Sequence, residues 1–168
     1  MPDLPDPGFA GDDGSAAPGV TAALTTYAAE PERGHRPALA ALQHSRFLVP
    51  VVATLGEVEE VEEGERGLAH DKSSDMATVL MRGRDGRLAL LAFTSTDSLH
   101  AWNPDARPVP VGIVQAARAA LQDDAPAIVV DVAGPVMFVV EGGDLCALAG
   151  GKMLREVEGG YAWFAHPR

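Results

Sequence analysis

Apolar residues fall along the chain in short blocks whose period changes from one block to the next. After Pro18, Val20, Leu24 and Tyr27 recur at i, i+4 and i+7, which predicts a helix over about 18–29 that Pro31 ends. Pro37 opens a second helix with Ala38, Ala41 and Leu42 on one side. The run Phe47-Leu48-Val49-Pro50-Val51-Val52 reads as a strand, and Pro50 places it at an edge or a bulge because proline lacks a ladder donor. Met76–Met81 and Leu88–Phe93 read as two further strands. The Asp85-Gly86 pair between them predicts a hairpin, both residues tolerating positive φ.

Beyond this hairpin, Thr94-Ser95-Thr96-Asp97 supplies capping side chains for a short helix carrying Leu99 and Trp102, which Asn103-Pro104 stops. Val109-Pro110-Val111 is extended. Ile113, Val114, Ala117, Ala120 and Leu121 form the clearest amphipathic face, over about 112–122. Ile128–Val132 is nearly all apolar, as expected of a strand covered on both faces. Ala133-Gly134 turns the chain, and Pro135 opens a strand through Val140. Asp144 is the expected cap of a last helix carrying Leu145 and Leu148, which Gly150-Gly151 ends. Tyr161, Trp163 and Phe164 read as part of one further hairpin. Together the elements predict an α+β fold: a mixed, mainly antiparallel sheet of about five strands with helices packed against it. Residues 1–16 are Pro, Asp, Gly and Ser with little apolar content and read as a mobile tail, leaving 17–168 as a single domain.

Composition narrows the function classes. With 168 residues and 46% apolar content the chain suits one core that needs no staples. A net charge of −11 disfavours nucleic acid and anionic membrane surfaces as partners. Arg82, Arg84 and Arg87 form the best local basic patch, with no interleaved aromatic, and read as a solvated hairpin tip. Cys146 is the single cysteine, so neither an intrachain disulfide nor a tetrathiolate zinc site can form. No apolar run approaches the roughly 18 residues of a membrane span, and the start is acidic rather than basic and apolar. A cytoplasmic protein is expected.

Several segments in order carry a resemblance. They are Phe47-Leu48-Val49-Pro50-Val51-Val52, Ser74-Asp75-Met76-Ala77 and Ala92-Phe93-Thr94-Ser95, then Leu99, Trp102, Ala106-Arg107-Pro108-Val109-Pro110-Val111 and Asp131-Val132-Ala133-Gly134-Pro135. At these spacings the chain resembles the SseB family, in its actinobacterial forms, over roughly residues 15–150. The resemblance implies a fold and leaves catalytic residues, cofactor and substrate unassigned.

Candidate chemistry is sparse. His35, His44, His70, His100 and His166 show no i, i+3 or i, i+4 pairing, so no metal site and no cofactor is expected; His70 and Asp71 beside the glutamate-rich stretch 57–65 are the one pair of interest. Cys146 beside Leu145 and Leu148 reads as a buried, inert thiol. There is no Gly-x-Ser-x-Gly elbow and no phosphate loop. The most suggestive group is Thr94, Ser95 and Asp97 with Trp102 and Arg107, where a strand hands over to a helix; Asp75, with Lys72, joins it from the neighbouring strand. Helix capping plus a core tryptophan accounts for the same residues. The leading expectation is a non-catalytic protein-interaction or regulatory module, with an unidentified protein or a second copy of the chain as partner and a homodimer as one form. A small-ligand-binding domain or minor enzyme with its site at 94–107 is the alternative.

Overall fold

In a computed structural model of the chain the described residues are 9, 11–52, 66–68 and 79–165. Helix α1 (Pro18–Ala29) and helix α2 (Pro31–Leu42) are followed by β1 (Arg46–Val51), β2 (Arg66–Leu68), β3 (Val79–Arg82) and β4 (Leu88–Ala92). Then come α3 (Thr96–Trp102), β5 (Arg107–Gly112), α4 (Ile113–Gln122), β6 (Ala127–Val130), β7 (Phe138–Glu141), α5 (Gly142–Ala149), β8 (Met153–Val157) and β9 (Gly160–Phe164). The expected α+β class holds. The main sheet has five strands in the order β2-β3-β4-β6-β7, all neighbours antiparallel except β4 and β6. That parallel pair needs a long crossover, which α3, β5 and α4 supply. The acidic stretch 57–65 and the pair His70 and Asp71 lie outside the described residues, as do Lys72, Asp75 and residues 76–78 of the expected strand.

Strict alternation divides the sheet into two buried faces. Leu80, Leu90, Ala92, Ile128, Val130, Phe138 and Val140 face α1, α2, α4 and α5. Val79, Ala89, Leu91, Ala127 and Val129 face Leu48, Leu99 and Ala106. All four residues of β6 are buried, as its unbroken apolar run predicts. Phe138 ties the helical layer to the sheet: Tyr27 of α1 meets its ring edge-on at 4.9 Å and His35 of α2 stacks on it at 5.0 Å.

The Asp85-Gly86 hairpin forms, with β3 and β4 antiparallel and Arg82 opposite Leu88. Its turn is one residue longer than the expected Asp-Gly pair, and only Gly86 takes positive φ, at 84°. The Gly83 N–H donates to Arg87 O and the Gly86 N–H to Gly83 O, so one left-handed glycine closes the loop.

The second helix starts six residues earlier than Pro37 indicates. Pro31 sits at its first position, where a missing N–H costs nothing, and Glu30 alone separates it from α1. Pro37 lies inside the helix and leaves the Arg33 carbonyl without its intrahelical donor. Fully buried Ala38, Leu39 and Leu42 outweigh that loss, since full burial of each leucine contributes about 2 kcal/mol.

Ribbon β1–β5 is a separate antiparallel pair, and Leu48 forms an isolated bridge with Phe93, just past β4, exchanging both backbone hydrogen bonds at 2.8 Å. Because Leu48 directs its backbone groups to Phe93, its cross-strand partner Pro110, and likewise Pro108 opposite Pro50, fall at positions that exchange no bonds across the ribbon. The missing donors of Pro108 and Pro110 therefore lie on the outer edge. Pro50, buried and on the inner side, lies two residues past the Leu48 bridge to Phe93.

Three further expectations change. Asp144 does not cap α5: Glu141 occupies the cap position without a side-chain bond, and Asp144 accepts from Arg36 at 2.8 Å and from the Trp163 indole at 3.3 Å. Cys146 is exposed, because Leu145 and Leu148 turn inward at i and i+3 and leave it off their face. Leu121 is exposed and Ala116 takes its place on the inner face of α4.

The C-terminal hairpin β8–β9 forms as expected, with Leu154 opposite Trp163. The side-chain amide of Gln43 mimics a strand against it, donating to Leu154 O at 2.6 Å and accepting from Leu154 N–H at 2.8 Å. Gln43→Ala should cost about 1–2 kcal/mol. Amide exchange over residues 153–164 should accelerate while the main sheet stays protected, and uniform protection would contradict this.

Candidate functional site

The parallel strands β4 and β6 end side by side, and pairing continues one step as the Asp131 N–H donates to Ala92 O at 3.0 Å. Crevices outside the carboxyl ends of parallel strands are frequent ligand sites in α/β proteins. Here the place is filled from within. Asp131 is 1% exposed and stands at φ 54°, a left-handed conformation that Asp tolerates better than most residues. Its carboxylate accepts from the Thr94 N–H at 2.9 Å, the Thr94 hydroxyl at 2.6 Å and the Ser98 hydroxyl at 2.8 Å. Ser95 caps α3, accepting from the Ser98 N–H at 3.0 Å. Among the described residues no buried side-chain nitrogen or oxygen lacks a partner. Each buried polar side-chain atom of the group has a partner within it, and the Asp131 carboxylate ties the end of β4 to the start of α3.

The candidate residues divide accordingly. Thr94 and Ser95 come together with Ser98 and Asp131. Asp97 is exposed in the first turn of α3, where a carboxylate favours the helix dipole. Trp102 is half-buried with its ring 5.6 Å from that of Phe93. Arg107 is exposed on β5, opposite Val51. Asp75 lies outside the described residues. Sequence reasoning missed Ser98 and Asp131 as members of the group. The available signal was a lone acid closing the apolar run Ile128–Val130 directly before a turn.

Arg46 forms a second polar centre one step away. Its side chain is 10% exposed. It grips Asp12 in a two-pronged pair, Nε to Oδ2 at 2.6 Å and Nη2 to Oδ1 at 2.9 Å, and donates to Thr94 O at 2.6 Å and Ser15 O at 2.9 Å. Asp12, Gly14 and Ser15, within the stretch read as a tail, bond to Arg46 and Thr96; residues 1–8 and 10 lie outside the described residues. The Arg46 guanidinium, helped by the Gly14 N–H, holds the Asp12 carboxyl below its ordinary value of 3.8. A depressed folded pKa contributes stability above the unfolded value, and that contribution is lost as pH falls through the folded value. The melting-temperature gap between wild type and Asp12→Asn should therefore be constant at neutral pH and close below pH 3.8. Melts across a pH series measure it, and a gap that persists under acid would refute the assignment.

The arginines of the hairpin tip are exposed: Arg82 donates to Gly86 O at 3.0 Å and Arg87 pairs with Asp85 at 2.6 Å. No helix among the described residues is long and apolar enough to cross a membrane. A family model described as the SseB protein N-terminal domain matches residues 20–147. No curated protein and no solved structure matches the chain.

Proposed function

The chain belongs to the SseB family, and on that premise we propose that it is a non-catalytic protein-interaction or regulatory module. The observation that supports this reading most is the hydrogen-bonded network on Asp131. The hydroxyls that sequence alone offers as a site are used for capping and for holding two strand ends together. Asp97 and Arg107 stand in solvent apart from that network. Partners of an acidic surface with net charge −11 are proteins, or a second copy of this chain, rather than nucleic acid or anionic lipid. A cytoplasmic setting fits the single cysteine.

A thermal-shift screen against amino acids, nucleotides, metals and common metabolites tests the reading. A ligand at 100 times its Kd adds about 2.7 kcal/mol, which is readily seen. We expect a flat screen. A specific shift abolished by Ser95→Ala or Arg107→Ala would replace the module with a small-ligand site at 94–107.

A further inference from the structure

We propose that the face carrying Arg46 is a docking trough for a short, turned acidic peptide segment, and that residues 11–15 of this chain are its resident occupant. The inference rests on the interaction-module reading and names its partner class. A buried guanidinium requires a partner. Arg46 lies inside the family-matched region 20–147, whereas the carboxylate that satisfies it comes from Asp12, before that region. The domain thus holds a carboxylate fork, and the segment preceding the domain fills it.

The seated segment shows what the trough recognises. One contact is specific for side-chain charge, the two-pronged bond from Arg46 to Asp12. Two are made to backbone carbonyls and fit any sequence: Arg46 to Ser15 O at 2.9 Å and the Thr96 N–H to Gly14 O at 2.7 Å. A third requirement is steric. Gly14 has φ 82°, and a Cβ there would collide with the Thr96 hydroxyl. The code is an acidic residue two positions before a glycine. Hollows of about 410 and 350 Å³ flank the segment and share Phe9 and Asp12. The first adjoins Pro18 and His44, the second Leu48, Pro108 and Pro110. The described residues of the resident segment leave both unfilled, so a partner peptide with larger side chains at positions 11–15 gains contacts that these residues do not make. That gain is what displacement requires, because a tethered segment competes at an effective concentration on the order of millimolar.

Gly14→Val in the full chain should eject the resident segment while keeping Arg46 and Asp12. A fluorescent peptide copying residues 8–17 is the probe, read by anisotropy. We expect saturable binding to the variant and at least about tenfold weaker binding to wild type. A peptide with alanine in place of the residue copying Asp12 should bind the variant about tenfold less tightly or worse. A variant with the wild-type circular dichroism spectrum that binds neither peptide, or both equally, overturns the proposal. Should Gly14→Val fail to fold, Asp12→Ala undergoes the same titration, and equal affinity for the two peptides overturns the proposal there. Failure in either case removes the trough and leaves the thermal-shift result, on which the module reading stands, unaffected.

Discussion

Replacing Asp131 with alanine should destabilise the protein by about 3–5 kcal/mol, the largest effect of any single polar substitution considered. Two donors, the Thr94 N–H and the Thr94 hydroxyl, would remain buried without their acceptor, and the Ser98 hydroxyl would keep only Ser95 O, at 2.9 Å. Each such loss costs about 1–3 kcal/mol, and members of one network do not add fully. Alanine at φ 54° contributes a further strain of about 1 kcal/mol. Asp131→Asn separates these causes. Its carbonyl keeps the Thr94 N–H and Ser98, its amide donates to the Thr94 oxygen, and asparagine tolerates the left-handed backbone. It should cost about 1 kcal/mol. Urea melts of the two variants decide the matter. Equal losses would mean that the negative charge, not hydrogen-bond satisfaction, holds the strand ends together.

The second large effect has a sign opposite to helix propensity. Gly34 lies in α2, and alanine is a better helix residue by about 1 kcal/mol. A methyl carbon at Gly34 would sit 2.5 Å from Tyr27 Cα and 2.8 Å from its backbone nitrogen. Neither is the far end of a flexible side chain, so α1 and α2 must separate. That movement pulls Tyr27 and His35 off Phe138. Gly34→Ala should therefore destabilise by about 2–3 kcal/mol, which lowers Tm by roughly 4–10 °C in a domain of this size. Gly19 in α1 is the control, exposed and with nothing near the position of its Cβ. Alanine there should be neutral or stabilising by up to about 1 kcal/mol. If both substitutions shift Tm in the same direction, close helix contact is not what fixes Gly34.

The same two sites show what sequence pattern can and cannot reveal. Local signals were read well where one residue type settles one conformation. Pro18 marks the start of α1, Asp85-Gly86 turns β3 into β4, and the unbroken apolar run of β6 announces burial on both faces. Pro37 misleads because it is a local breaker, and the helix through it and Gly34 exists because its inner face packs on α1 and the sheet. Asp131 could not be matched to Thr94 because the two are 37 residues apart and meet only when β4 and β6 pair in parallel. Arg46 and Asp12, 34 residues apart, pose the same difficulty. Capping by Ser95, whose bonds reach only three residues, was legible.

The two outward prolines of β5 bear on colloidal behaviour. A growing cross-β stack adds strands by filling successive donors along an edge, and along Pro108 and Pro110 those donors do not exist. Even when the protein is crowded or heated short of global unfolding, this side should not seed fibrils. Substituting both positions with threonine would supply the missing N–H groups. The sign of the change should be a sigmoidal rise in thioflavin fluorescence after a lag, where the parent protein stays flat.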